Sequence, residues 1–227
     1  MNTTVIRPLA AECLGTFGLI FIGAGAVLMD SHTGGALGLL GVALAHALVL
    51  SIMVTATMNI SGGHVNPAVT LALFLAKKVD GKLAGMYVLA QLLGAVAAAL
   101  LVRWLLPSAA GELTSYGAPK IAPEINMLQA IAIEMVLTFF LVSAVFGTAV
   151  SSEAPSVGGF GIGLVLLFDI LVGGPLTGAA MNPARAFGPA LISMDFEGHV
   201  AYWAGPLLGG ALAAGLWAGV LLPRKAA

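Results

Sequence analysis

Five stretches of this chain run for twenty residues or more with almost no charge: Leu9–Met29, Ala36–Met58, Ala84–Leu106, Met127–Val150 and Val200–Leu222. A bilayer core about 30 Å thick is crossed by about 20 apolar residues in a helix. Inside it every backbone N–H and C=O must find a partner within the protein, so a single apolar run of that length predicts a spanning helix. Phe160–Leu176 is shorter and holds Asp169, but it reads the same way and brings the count of predicted spans to six. Only 8% of the 227 residues are charged, against roughly 25% in soluble domains. The chain has no material for a water-facing coat, and its fold class is predicted as an all-α membrane protein.

A net charge of −1 gives no basis for binding nucleic acid, and the lipid bilayer is the expected partner. The single cysteine, Cys13, lies in the first span, so no intrachain disulfide is expected. That span follows Arg7 as a signal peptide would, yet it exceeds a typical apolar signal region and a later span repeats it; it is read as retained. With the N-terminus inside, Arg7, Lys77, Lys78, Lys82, Arg224 and Lys225 fall on the inner face, and only Arg103 and Lys120 fall outside. Both termini are therefore expected to be cytoplasmic, in a multi-pass protein of the cell membrane.

The chain repeats itself within one domain spanning residues 1–227. Glu12, Thr16 and Phe17 of the first span return as Glu134, Thr138 and Phe139 of the fourth. Tyr87 to Gly94 of the third span matches Tyr202 to Gly209 of the sixth, and Asn66-Pro67-Ala68 recurs as Asn182-Pro183-Ala184. The offsets stay near constant at 122, 116 and 115 residues (134 − 12, 182 − 66 and 202 − 87). Three spans per repeat is an odd number, so the halves (about 1–106 and 125–227) must enter from opposite faces. In such inverted repeats the functional site lies near the midplane. Pro107–Glu124 reads as an outer loop joining the halves, and Ser151–Ser156 as a short inner connection.

After each Asn-Pro-Ala the chain stays apolar for about ten residues, roughly 15 Å of helix and half a membrane. Asn is a favoured N-cap and Pro a favoured first helical residue, so both motifs predict helix starts. Two re-entrant half-helices would then meet nose to nose at the bilayer centre. The Gly-containing segments Ser61–Gly63 and Thr177–Gly178 would reach them as irregular backbone, which membrane depth tolerates only beside protein or a wet cavity.

Ser61-Gly-Gly-His-Val-Asn-Pro-Ala-Val-Thr70 and Met181-Asn-Pro-Ala-Arg-Ala-Phe-Gly-Pro-Ala190 resemble the two signatures of the major intrinsic protein (aquaporin) family. The resemblance runs from Glu12 to the sixth span. It implies a right-handed bundle of six spans and two half-helices, a pore in each subunit, and a homotetramer. Two half-helix N-termini, each carrying about half a positive charge, would repel cations, a mechanism already described for aquaporin-type pores. By the family's spacing the selectivity filter falls on His46, Ile170, Ala179 and Arg185. Water-only members usually have Phe and His at the first two positions. His, Ile, Ala and Arg instead resemble the plant vacuolar (tonoplast) type, some of which pass ammonia, hydrogen peroxide or urea as well as water; Asp169–Pro175 adds to the likeness. The ammonia-conducting plant members use a loop histidine, and Pro107–Glu124 has none. Glycerol channels tend to carry Asp and Lys where this chain has Ala186 and Ala190, so a glycerol facilitator is the weaker alternative.

An arginine at a membrane helix centre costs about 2.5–3.5 kcal/mol on insertion scales, so Arg185 should pair or face water. A lone His46 in an apolar span would ordinarily be a packing residue; the family spacing turns it toward the pore. His64 is expected to brace the loop before the first motif rather than to gate. Glu12 and Glu134 suit either a proton-coupled secondary transporter or, as buried carboxylates needing partners, braces for the irregular loops; the family resemblance favours bracing. Asp169 is left with two readings, a hydrogen bond to an outer loop or a tuning of the filter beside Ile170. Gly159/Gly163 and Gly205/Gly209 have the spacing of close helix packing. No Cys/His cluster or nucleophile–base spacing is seen, so no metal, cofactor or catalysis is expected. The expected function is a passive channel for water and small neutral solutes. A membrane adhesion protein finds no support in the short outer loops.

Overall fold

The computed structural model describes residues 3–223; Arg224 and Lys225 of the inner-face cations lie outside the described residues. Every regular element among these residues is helical. The helices are α1 (Thr3–His32), α2 (Gly38–Ser61), α3 (Pro67–Leu75), α4 (Gly81–Leu105), α5 (Ser108–Leu113), α6 (Met127–Val145), α7 (Phe160–Thr177), α8 (Pro183–Ser193) and α9 (Ala201–Leu216). α6 and α9 each end in a wider π turn, Phe146–Val150 and Trp217–Leu221. Six of the helices, all but α3, α5 and α8, are long and apolar enough to cross a membrane.

The helix starts follow from local chemistry. Asp80 caps α4 by accepting from the Lys82 and Leu83 amides, and Asn126 and Gln129 form a reciprocal capping box at α6. Within each half the first and third spans pack tightly, α1 on α4 and α6 on α9, while α2 against α7 joins the halves. Glycines permit this closeness. A Cβ on Gly94 would strike the Cys13 carbonyl, and one on Gly209 would strike the repeat-related Met135 carbonyl. Gly163 lies as closely on α2, against Ser51 and the Ala47 carbonyl.

The outer faces of the helices carry exposed Leu14, Leu48, Ile52, Leu89, Leu93 and Leu128, as a lipid-facing surface requires. The outer loop read from Pro107 onward is more ordered than its Pro, Gly and Ser content indicated. It holds α5 and then a turn, Ser115–Gly117, in which three successive residues have positive φ (47°, 51° and 82°).

Candidate pore and selectivity filter

The two Asn-Pro-Ala motifs start α3 and α8. Asn66 Oδ1 accepts from the Ala68 amide at 2.8 Å, and Asn182 Oδ1 accepts from those of Ala184 and Arg185 at 3.0 and 3.2 Å. Pro67 and Pro183 occupy the first helical turn, where no backbone N–H is missed. The half-helices, at roughly 14 and 17 Å, are too short to cross the bilayer.

What joins them is a reciprocal clasp. Asn66 Nδ2 donates to the Met181 carbonyl at 2.9 Å, and Asn182 Nδ2 donates to the Val65 carbonyl at 2.9 Å. Val65 and Met181 precede their motifs with φ of 54° and 51°. Such a conformation is a genuine outlier for a β-branched residue like Val65. A primary amide has two N–H groups, so each asparagine keeps a second donor, and both side chains line the central lumen.

The loops leading to the clasp are tied to two buried carboxylates. Glu12 Oε1 accepts from Ser61 Oγ and the His64 amide, and Oε2 from the Val65 amide and Gln91 Nε2, all within 2.6–2.9 Å. Glu134 Oε1 accepts from Thr177 Oγ1 and the Ala180 amide, and Oε2 from the Met181 amide, within 2.7–2.9 Å. The Tyr87 and Tyr202 hydroxyls donate to the Ser61 and Thr177 carbonyls, each at 2.9 Å. With the amides consumed on this side, the carbonyls of Gly63, His64, Ala179 and Ala180 accept no bond from the described residues. Those four residues line the lumen. The opposite wall is apolar, built from Leu50, Val54, Leu141, Ile162 and Leu166.

Three cavities follow one another. The central lumen shares His46, Ile170 and Arg185 with a vestibule beside the Gly117–Lys120 loop. At its other end it shares His64 and Val145 with a vestibule lined by Lys78, Asp80 and Val150. The four sequence-proposed filter residues therefore come together, since Ala179 also lines the lumen. Arg185 is 6% exposed and donates through Nη1 to the Gly117 carbonyl at 2.8 Å. His46 Nδ1 lies 2.9 Å from the Val42 carbonyl, which only accepts; the proton sits on Nδ1, leaving Nε2 an acceptor with no partner among the described residues.

His64 Nδ1 lies 3.1 Å from Thr70 Oγ1, and its ring stands edge-on to Tyr87 with centroids 5.0 Å apart. Asp169 is buried, and its Oδ2 finds no partner among the described residues. Among the described residues Asp169 makes no side-chain hydrogen bond to an outer loop, one of its two readings, and it is not among the lumen-lining residues.

Two contributors escaped the sequence reading. Gln91 bridges Glu12 and Thr70 (2.7 and 3.0 Å), although its place in the matched Tyr87–Gly94 segment could have flagged it. Gly117 holds Arg185 from a loop with no local signal beyond a Tyr-Gly pair.

Six spans, two capped half-helices touching at their tips and a lumen running past them define a membrane channel, not an enzyme. A family model for major intrinsic proteins matches residues 1–217. The chain is 43% identical to the probable aquaporin TIP3-2 of Arabidopsis thaliana, covering 96% of this chain and 85% of that one. It is 40% identical to aquaporin TIP4-4 of Zea mays, covering 96% and 88%. Among solved structures it superposes on the aquaglyceroporin from Plasmodium falciparum with a TM-score of 0.84, 26% identity and coverage of 96% and 97%. This chain belongs to the major intrinsic protein family, and as an aquaporin it is a water channel of the multi-pass membrane type.

Proposed function

We propose that this water channel also passes small neutral solutes wider than water, such as hydrogen peroxide, urea or ammonia. His46, Ile170, Ala179 and Arg185 form its filter. The carrying observation is that the outer vestibule and the lumen share His46, Ile170 and Arg185. One wall there is the short apolar Ile170, beside the single methyl of Ala179. Arg185 supplies donors beside the His46 ring, so a solute that accepts hydrogen bonds exchanges part of its water for protein groups. The paired N-termini of α3 and α8 beside the lumen disfavour cations.

Glu12, Glu134 and His64 serve as loop braces in this reading. Neither carboxylate lines the lumen, and both are filled by loop donors, which weighs against a proton-coupled transporter. The likeness to an aquaglyceroporin favours glycerol as a second solute; Ala186 and Ala190 weigh against it. We orient the chain with both termini cytoplasmic, from Arg7, Lys77, Lys78 and Lys82, in the cell membrane and as a homotetramer.

Stopped-flow light scattering on proteoliposomes tests the solute range. Water should leave quickly with weak temperature dependence, and peroxide, urea and methylamine should permeate faster than glycerol. His46→Phe should reduce peroxide and methylamine flux more than water flux. Equal losses would count against the broad filter, and saturable flux driven by a proton gradient would count against a channel.

A further inference from the structure

Beyond the four filter positions, one residue on α1 stands directly behind the imidazole. Leu19 lines the central lumen and Val27 lines the outer vestibule. Gly23 sits midway between them at helical spacing, on the same stripe of α1. At the level of the filter, then, α1 presents a residue without a side chain. A Cβ built there would stand 2.5 Å from His46 Nε2, 2.6 Å from Cδ2 and 3.1 Å from Cε1. These are the outer atoms of a rigid ring. The His46 ring is 3% exposed and anchored through Nδ1 to Val42, so it has little freedom to withdraw.

We propose that Gly23 is a specificity-determining residue of this channel: its missing side chain leaves a notch that takes the edge of the His46 imidazole and so sets the width of the constriction. This rests on the filter reading above. A methyl group at residue 23 would drive the ring out of the notch toward Ile170 and Arg185, which border the same narrowing. Water, the narrowest solute, should tolerate the displacement best. Urea should tolerate it worst, because it is the wider of the two.

The test is a double-mutant cycle in proteoliposomes, with Gly23→Ala, His46→Ala and the double variant, reading the ratio of urea to water permeability. Gly23→Ala should lower that ratio about tenfold or more, in the range that one methyl group commands in a fitted site. In the His46→Ala background the same substitution should change it less than about twofold, since the ring it acts through is gone. An unchanged ratio in Gly23→Ala, or equal falls in both backgrounds, would overturn the inference. Should Gly23→Ala alone fail to fold, the double variant decides against His46→Ala: recovery with equal ratios supports the notch, and a lower ratio in the double variant overturns it. The filter reading fails separately, if His46→Ala leaves the urea-to-water ratio at the wild-type value.

Discussion

The two half-helix loops share one plan and are held in different ways. In the first half, Glu12, Gln91, Thr70 and His64 form a closed polar group behind the loop. At the equivalent places in the second half stand Glu134, Pro206, Ala186 and Ala180. The carboxylate and the Thr177 and Tyr202 hydroxyls survive there. The second loop gains instead Arg185, where the first has Val69, and that guanidinium is pinned from outside the repeat by the Gly117 carbonyl.

The support for Gly117 is itself a strap. Asp195, just past the end of α8, accepts from Ser115 Oγ at 2.8 Å and pairs with Lys120 at 3.3 Å. Arg103 covers the Tyr116 ring at 5.7 Å and donates to the Ile192 carbonyl at 3.2 Å. Three left-handed residues in succession are costly, on the order of 1 kcal/mol each for the non-glycines, and these contacts hold them. The lesson is a division of labour. The first half braces its loop from within, and the second carries a buried guanidinium held from outside the repeat.

The largest expected effect sets the two carboxylates against each other. Glu134→Ala strands three buried donors at about 1–3 kcal/mol each, and should abolish vesicle shrinkage while lowering the melting midpoint by roughly 10 °C or more. Glu12→Ala should cost less: of its four donors Gln91 Nε2 keeps Thr70 Oγ1, and Gln91 Oε1, without a partner among the described residues, can accept a freed amide, which leaves two stranded against three. Equal losses, or the reverse order, would break the comparison. Next in size is Arg185→Val, which gives the second half-helix the residue of the first. Urea permeability should rise roughly tenfold relative to water and a cation leak should appear; an unchanged conductance and solute ratio would show that Arg185 is only an anchor.

The smallest effect sharpens the account of the strap. Asp195→Asn should raise urea flux by about two- to threefold with water flux unchanged, since Arg185 loses its footing without leaving the pore. The Ser115 hydroxyl first, then the Glu197 amide and Lys120, hold the Asp195 carboxyl below the usual carboxylate range against a partial desolvation. A depressed carboxylate contributes its stabilisation above its unfolded pKa and loses it as pH falls through the folded one. The urea-to-water ratio should therefore stay flat from pH 8 to 5 and change only in stronger acid. A shift near pH 6 would assign the control elsewhere.

Much of the site's scaffold was legible because it is local. Asn66 and Asn182 announce caps, Pro67 and Pro183 announce first turns, and the observed half-helices, Pro67–Leu75 and Pro183–Ser193, fall within the predicted stretches. Asp169 shows the limit: its burial was foreseeable, but where its oxygens point was not. The outer loop shows another, since nothing near Tyr116 states that three residues will turn left-handed to aim one carbonyl.

Sequence alone determined the spans, the caps and the repeat, because lipid allows an apolar run of twenty residues one conformation and because capping acts over three or four residues. Tertiary structure alone decided the clasp of Asn66 on Met181 and of Asn182 on Val65, the hold of Gly117 on Arg185, and the fit of His46 into the notch at Gly23. Those contacts join segments far apart along the chain. They exist only once helix packing has fixed, to a fraction of an ångström, which side chain has room and which donor has an acceptor.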